Sequence, residues 1–146
     1  MKIVIGCDHA GFKLKESIKD YFAQKEGIRV EDYGTYSCES VDYPDYGAKV
    51  AKAIAMGEFE RGILICKTGI GMSIIANRYN KVRAALCYDK ESVLMSRKHN
   101  NANILVLPAY RFENSEDVFD LVKLWLETEF EGSRHQRRIE KLDSLI

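Results

Sequence analysis

Cys66, Lys67 and Thr68 stand together where an apolar run stops, and Gly69-Ile70-Gly71 follows them directly. A thiol beside a cation and a helix start tends toward thiolate, which can act as a nucleophile or as a general base. Closely spaced glycines let backbone N–H groups converge in conformations closed to other residues, and a helix start behind them adds the positive end of its dipole. The stretch thus offers a base next to a cradle for the anion it would create. Plainer readings stand beside this one. A strand-end cysteine can be a buried structural thiol, and a glycine pair suits any tight strand-to-helix turn. A dinucleotide fingerprint is a poor match, because Ile74 occupies its third glycine position and the turn does not follow the first strand.

Other polar groups gather after other apolar runs. Asp8 and His9 follow the first, and Arg111 follows the last. Adjacent to Asp8, His9 can bind an anion or satisfy a local hydrogen bond. His99 lies at a helix end with Asn100, Asn101 and Asn103, which are also ordinary capping and turn residues. Arg134 and Arg138 are i and i+4 on a helix and share a face, so two guanidinium forks can grip one phosphate or form a solvated basic face. With a base and an anion cradle, they point to a small phosphorylated substrate.

The positioning elements alternate. Strands are predicted at 2–7, 28–34, 62–66, 82–88 and 103–108, the second shorter and nearer an edge. Between them helices are predicted over about 14–22, from Pro44 to Ala55, over 70–78 and over 89–99, with a last long helix capped by Asn114 or Ser115. Strands separated by helices of this length make right-handed βαβ units. In such a sheet ligands bind outside the carboxyl ends of the strands, where Asp8, His9, Cys66 and Arg111 fall. The tail from about 132 to 146 carries Ile139, Leu142 and Ile146 at i, i+3 and i+7, a short apolar stripe expected to pack on another subunit.

At 146 residues the chain suits one domain, with 22 basic against 22 acidic residues. That balance gives no bulk footprint for nucleic acid or an anionic membrane. No apolar run approaches a membrane span, and none resembles a signal peptide. Four scattered cysteines without C-x-x-C spacing argue against a structural zinc site and fit the cytoplasm.

The segments GCDHAGFKLK, SVDYPDYG, GILICKTGIGMSIIANR, VRAALCYD, SRKHNNANIL and EGSRHQRR occur in this order. Together they resemble the type B ribose-5-phosphate isomerases over nearly the whole chain. The resemblance implies a single-domain Rossmann-like three-layer α/β fold with a five-stranded parallel sheet, and a homodimer or dimer of dimers with sites at the subunit interface. It implies interconversion of ribose 5-phosphate and ribulose 5-phosphate with no metal and no cofactor. Cys66 would be the base; Thr68 and His99 would help open the sugar ring. Amides of Lys67, Gly69, Ile70 and Gly71 would receive the enediolate, with Ser73 also in the substrate site. Asp8, Tyr43 and Asn100 would meet sugar hydroxyls; His9, Arg111, Arg134 and Arg138 would hold the phosphate. Two departures stand out. Lys67 replaces the first glycine of a Cys-Gly-Thr-Gly pattern, where a positive φ would strain it or where its ammonium would favour the thiolate or touch substrate. The turn before Arg111 also lacks its usual glycine. A six-carbon aldose phosphate is the neighbouring substrate, and a non-catalytic sugar-phosphate-binding module disabled by Lys67 the alternative from another class.

Overall fold

The structure, a computed structural model, describes residues 1–145; the expected role of Ile146 in the tail stripe lies outside the described residues. The five apolar runs form one parallel sheet: β1 (Lys2–Cys7), β2 (Arg29–Asp32), β3 (Arg61–Cys66), β4 (Ala84–Leu86) and β5 (Ile104–Pro108), in the order β2-β1-β3-β5-β4. Among the described residues six α-helices accompany it: α1 (Phe12–Ala23), α2 (Tyr43–Ala55), α3 (Ile70–Ala76), α4 (Lys90–Lys98), α5 (Asp117–Glu127) and α6 (Arg134–Asp143).

Because successive side chains in a strand face opposite ways, the central strands bury two cores. Ile3, Ile5, Ile63, Ile65, Leu105 and Leu107 pack against Ile18 and Phe22 of α1, Val93 of α4 and Val118, Val122 and Trp125 of α5. Val4, Leu64, Ile104 and Val106 pack against Val50 and Ile54 of α2 and Met72 and Ala76 of α3. This is the three-layer sandwich the alternating pattern requires.

Helix α1 follows β1 on one face, α3 follows β3 on the other, and α5 follows β5 back on the first. The loops leaving β3 therefore diverge from those of both neighbouring strands. That divergence falls at the carboxyl end of β3, the usual place for a ligand in a doubly wound sheet. Cys66 ends that strand.

Several boundaries differ from expectation because side chains take backbone groups early. β2 stops at Asp32, whose carboxylate accepts the Gly34 amide at 2.8 Å, and Gly34 turns at φ +89°. β4 is confined to three residues, since the Tyr88 amide donates to Ser92 Oγ in the cap of α4 and the Val82 amide closes a turn onto Tyr79. α3 ends at Ala76, where Asn77 donates to Ser73 and Ala84 carbonyls and accepts the Ala84 amide. α5 begins at Asp117 rather than beside Asn114, because Ser115 Oγ already takes the Asp117 amide.

Candidate active site

The carboxyl rim of the sheet is built by short-range hydrogen bonding. Asp8 caps a 3-10 turn (His9–Gly11), its Oδ1 accepting the amides of Ala10 at 3.0 Å and Gly11 at 3.2 Å. Its own amide donates to Ile65 O, tying this turn to β3. Beside it, His9 Nδ1 accepts the Val41 amide at 3.1 Å, which fixes the neutral ring as the Nε2–H tautomer and anchors the loop before α2. The Tyr110 amide donates to Lys67 O, joining the turn after β5 to that after β3.

Cys66 is buried at 5 % exposure on the α2–α3 side. The turn after it depends on its glycines for two different reasons. Gly69 has φ +74°, and a Cβ there would lie 2.4 Å from Leu86 Cδ1. Gly71 begins the helix, and a Cβ there would lie 2.7 Å from Cζ of Tyr43, so the first residue of α2 lays its ring against the start of α3. Thr68 Oγ1 accepts the Ile70 amide at 3.3 Å and keeps its proton for another acceptor. Ser73 Oγ instead donates back to Ile70 O at 2.8 Å, leaving only its lone pairs for a substrate. Lys67 is exposed and outside the positive-φ residues, so the expected strain at this position is absent; the left-handed residue is Gly69.

The other cysteines at strand ends are sorted by burial. Burial pushes the Cys7 thiol up to about 12, against the opposing Lys15 charge, and burial likewise raises Cys87. Both stay protonated at neutral pH. Arg111 stands at the rim after β5, with Nη2 donating to Asp117 Oδ2 at 2.9 Å.

A second group of candidate residues gathers at the opposite end of the sheet. His99 caps the carboxyl end of α4, ahead of β5, and Asn100 is exposed beside it. The imidazole of His99 stacks on buried His135 of α6, with ring centres 4.2 Å apart and planes 15° from parallel. Burial, then the charges of His99, Arg134 and Arg138, lower the His135 pKa below its ordinary value. Arg134 and Arg138 are exposed on α6. The loop between α4 and β5 is pinned by Arg97, only 2 % exposed, whose guanidinium donates to Thr128 O, Asn101 Oδ1 and Ala102 O. Burial, followed by the charges of Arg61 and Arg83, brings its pKa down to about 10. Sequence reasoning passed over Arg97, and its helix pattern gave no signal of this role.

Cys66 pairs in register with Pro108 at the far end of β5, whereas His99 precedes Ile104 at its near end. Four residue steps at roughly 3.3 Å each separate these ends by about 13 Å. One chain therefore brings together Asp8, His9, Tyr43, Cys66 and the glycine turn, and separately His99, Asn100, Arg134 and Arg138.

Fold and rim define a doubly wound α/β protein with a thiol and a glycine turn at its topological switch point. The sequence profile described as Ribose/Galactose Isomerase matches residues 3–142, and the chain belongs to that family. It is 43 % identical over 144 residues to ribose-5-phosphate isomerase B of Escherichia coli strain K12, covering 99 % of this chain and 95 % of the relative. It is also 43 % identical over 143 residues to D-erythrulose-4-phosphate isomerase of Pectobacterium atrosepticum, covering 97 % and 93 %. A crystal structure of a ribose 5-phosphate isomerase from Thermotoga maritima superposes with a TM-score of 0.92 at 55 % identity, covering 98 % of this chain and 97 % of that one.

Proposed function

We propose that this chain is an aldose–ketose isomerase that interconverts ribose 5-phosphate and ribulose 5-phosphate through a cis-enediolate. The carrying observation is Cys66 at the end of β3, where the neighbouring loops diverge, followed at once by the Gly69 turn with Tyr43 across Gly71. After His99 and Thr68 assist ring opening, the Cys66 thiolate removes the C2 proton. Negative charge then develops on O1, where amides of the Lys67–Gly71 turn donate to it. A preorganised donor of this kind contributes about 3 kcal/mol. The proton returns from Cys66 to C1 while the O2 proton passes to O1, giving the ketose and restoring the Cys66 thiolate. Asp8 and Tyr43 meet sugar hydroxyls, and His9 and Arg111 meet the phosphate.

The two separated groups of residues favour a homodimer, alone or as a dimer of dimers. His99, Asn100, Arg134 and Arg138 of one subunit complete the rim of the other. The groove beside β4 suits such a contact: its volume is about 480 Å³, and Leu142 and Leu145 stand exposed on it next to the Arg83–Asp143 ion pair. The tail is only partly free for a partner, because Ile139 is already buried within its own chain. A base that must remain a thiol suits the reducing cytoplasm, and no described helix is long and apolar enough to cross a membrane. Balanced charge favours neither nucleic acid nor a membrane surface as partner.

The test is conversion of ribose 5-phosphate to ribulose 5-phosphate by the purified protein, with exchange of the C2 proton into deuterated water. Ligand binding without either reaction would mean a non-catalytic module. The relative named for a four-carbon substrate makes sugar length a separate question. Comparing kcat/KM on four-, five- and six-carbon aldose phosphates decides it, with the five-carbon sugar expected to lead.

A further inference from the structure

Among the described residues three buried side-chain nitrogens lack a partner, Arg61 Nε, Trp125 Nε1 and His135 Nε2, and of these His135 Nε2 can ligate a metal. His135 Nε2 is fully enclosed and makes no hydrogen bond. It lies 3.8 Å from Oε2 of Glu131, four residues earlier in the loop before α6, and ligand atoms of His99, Glu131 and His135 all fall within 4.8 Å of one another. A buried polar atom without a partner is rare and costly. Two imidazoles and one carboxylate are a donor set suited to zinc and its neighbours rather than to magnesium or calcium.

We propose that His99, Glu131 and His135 bind one Zn²⁺ ion per chain, and that occupancy inhibits the enzyme by withdrawing His99. Ligand atoms around a tetrahedral zinc stand about 3.4 Å apart. The cluster therefore closes by movements that its members allow: Glu131 is exposed, and His99 sits half-exposed at a helix end. His135 is the fixed point. Stacked rings present their nitrogens side by side, so His99 must turn about its Cβ–Cγ bond to aim at the ion. Three protein ligands leave the fourth position to water. The Arg134 and Arg138 charges on the same helix oppose a cation, which keeps the site weak enough to be reversible.

The binding claim stands without the isomerase reading; the inhibition claim rests on it. Binding is tested with Co²⁺ and Zn²⁺ on the full-length protein carrying Cys38→Ser, to remove the exposed thiol. Calorimetry should give one Zn²⁺ per chain, weakened at least about tenfold by either His135→Asn or Glu131→Gln. The visible spectrum of bound Co²⁺ should lack a thiolate charge-transfer band. Undiminished affinity in either variant, or a thiolate band, would overturn the site. Glu131→Gln should keep metal-free isomerase activity while losing inhibition by Zn²⁺. Inhibition that persists in Glu131→Gln at wild-type strength overturns the withdrawal of His99. Absence of isomerase activity in the metal-free protein would count against the proposed reaction and leave the binding result standing.

Discussion

Cys66 ends β3 buried in the α2–α3 core and is also the proposed base, which makes it the most informative single position. General base catalysis contributes about 10²- to 10⁴-fold, so Cys66→Ala should lower kcat by that much with little change in KM. Steady-state kinetics and C2 proton exchange read it directly. The two glycines behind it should fail differently. Gly69→Ala places a side chain at φ +74° against Leu86, and chemical denaturation should show a loss of about 1–3 kcal/mol. Gly71 has no positive φ, so Gly71→Ala should leave stability nearly unchanged while displacing Tyr43 and raising KM. Lys67 carries no left-handed strain; Lys67→Gly should retain turnover, and its loss would reveal a catalytic part for the ammonium.

Two buried cations hold the elements that carry the site. Lys15 of α1 is fully buried and pairs with Asp32 at the end of β2 at 2.5 Å. Burial raises the Asp32 carboxyl, but hydrogen bonds from Lys15 and Lys19 outweigh it and leave the pKa below the ordinary value of 3.8. A depressed folded-state value stabilises the fold above that pH, and the contribution is lost as pH falls through the folded value. Asp32→Asn should therefore cost about 1–3 kcal/mol near neutrality, since buried Lys15 keeps only the more exposed Glu16 at 3.0 Å as a partner, and should flatten the acid limb of a stability-against-pH curve. At the other end of the sheet, Arg97 holds the loop behind His99 through three acceptors on a planar fork. Lysine cannot reproduce that fork. Arg97→Lys should cost about 1–3 kcal/mol in denaturant unfolding by leaving buried carbonyls unpaired.

On the scale of the whole molecule, a site assembled from two subunits has a consequence that no single-chain site shares. Cys66→Ala and His99→Ala proteins are each expected to be nearly inactive. When they are unfolded, mixed equally and refolded, half the dimers should be mixed, and each of those carries one intact site. Activity should return to about a quarter of the wild-type level. No recovery would mean that both residues serve a site within one chain, in conflict with their separation along β5. Sedimentation as a monomer at assay concentration would count against the same proposal.

The apolar runs, their β-branched content and the helix periodicity between them were sufficient for a five-stranded parallel sheet in three layers, because burial on both faces leaves that pattern in any such strand. Cys66, the glycine turn, Asp8 and His9 were legible together because residues just after strands share one rim by topology alone. Strand order was not legible, since it depends on which edges meet, and with it the divergence of loops at β3. Nor could sequence show that burial raises the Cys7 and Cys87 thiols, which depends on what packs around each. The side-chain caps that cut β4 short, the hold of Arg97 on the His99 loop and the stacking of His99 on His135 join residues distant in sequence. Only packing brings such pairs together, and only packing shows that His99 and Cys66 of one chain stand at opposite ends of the same sheet.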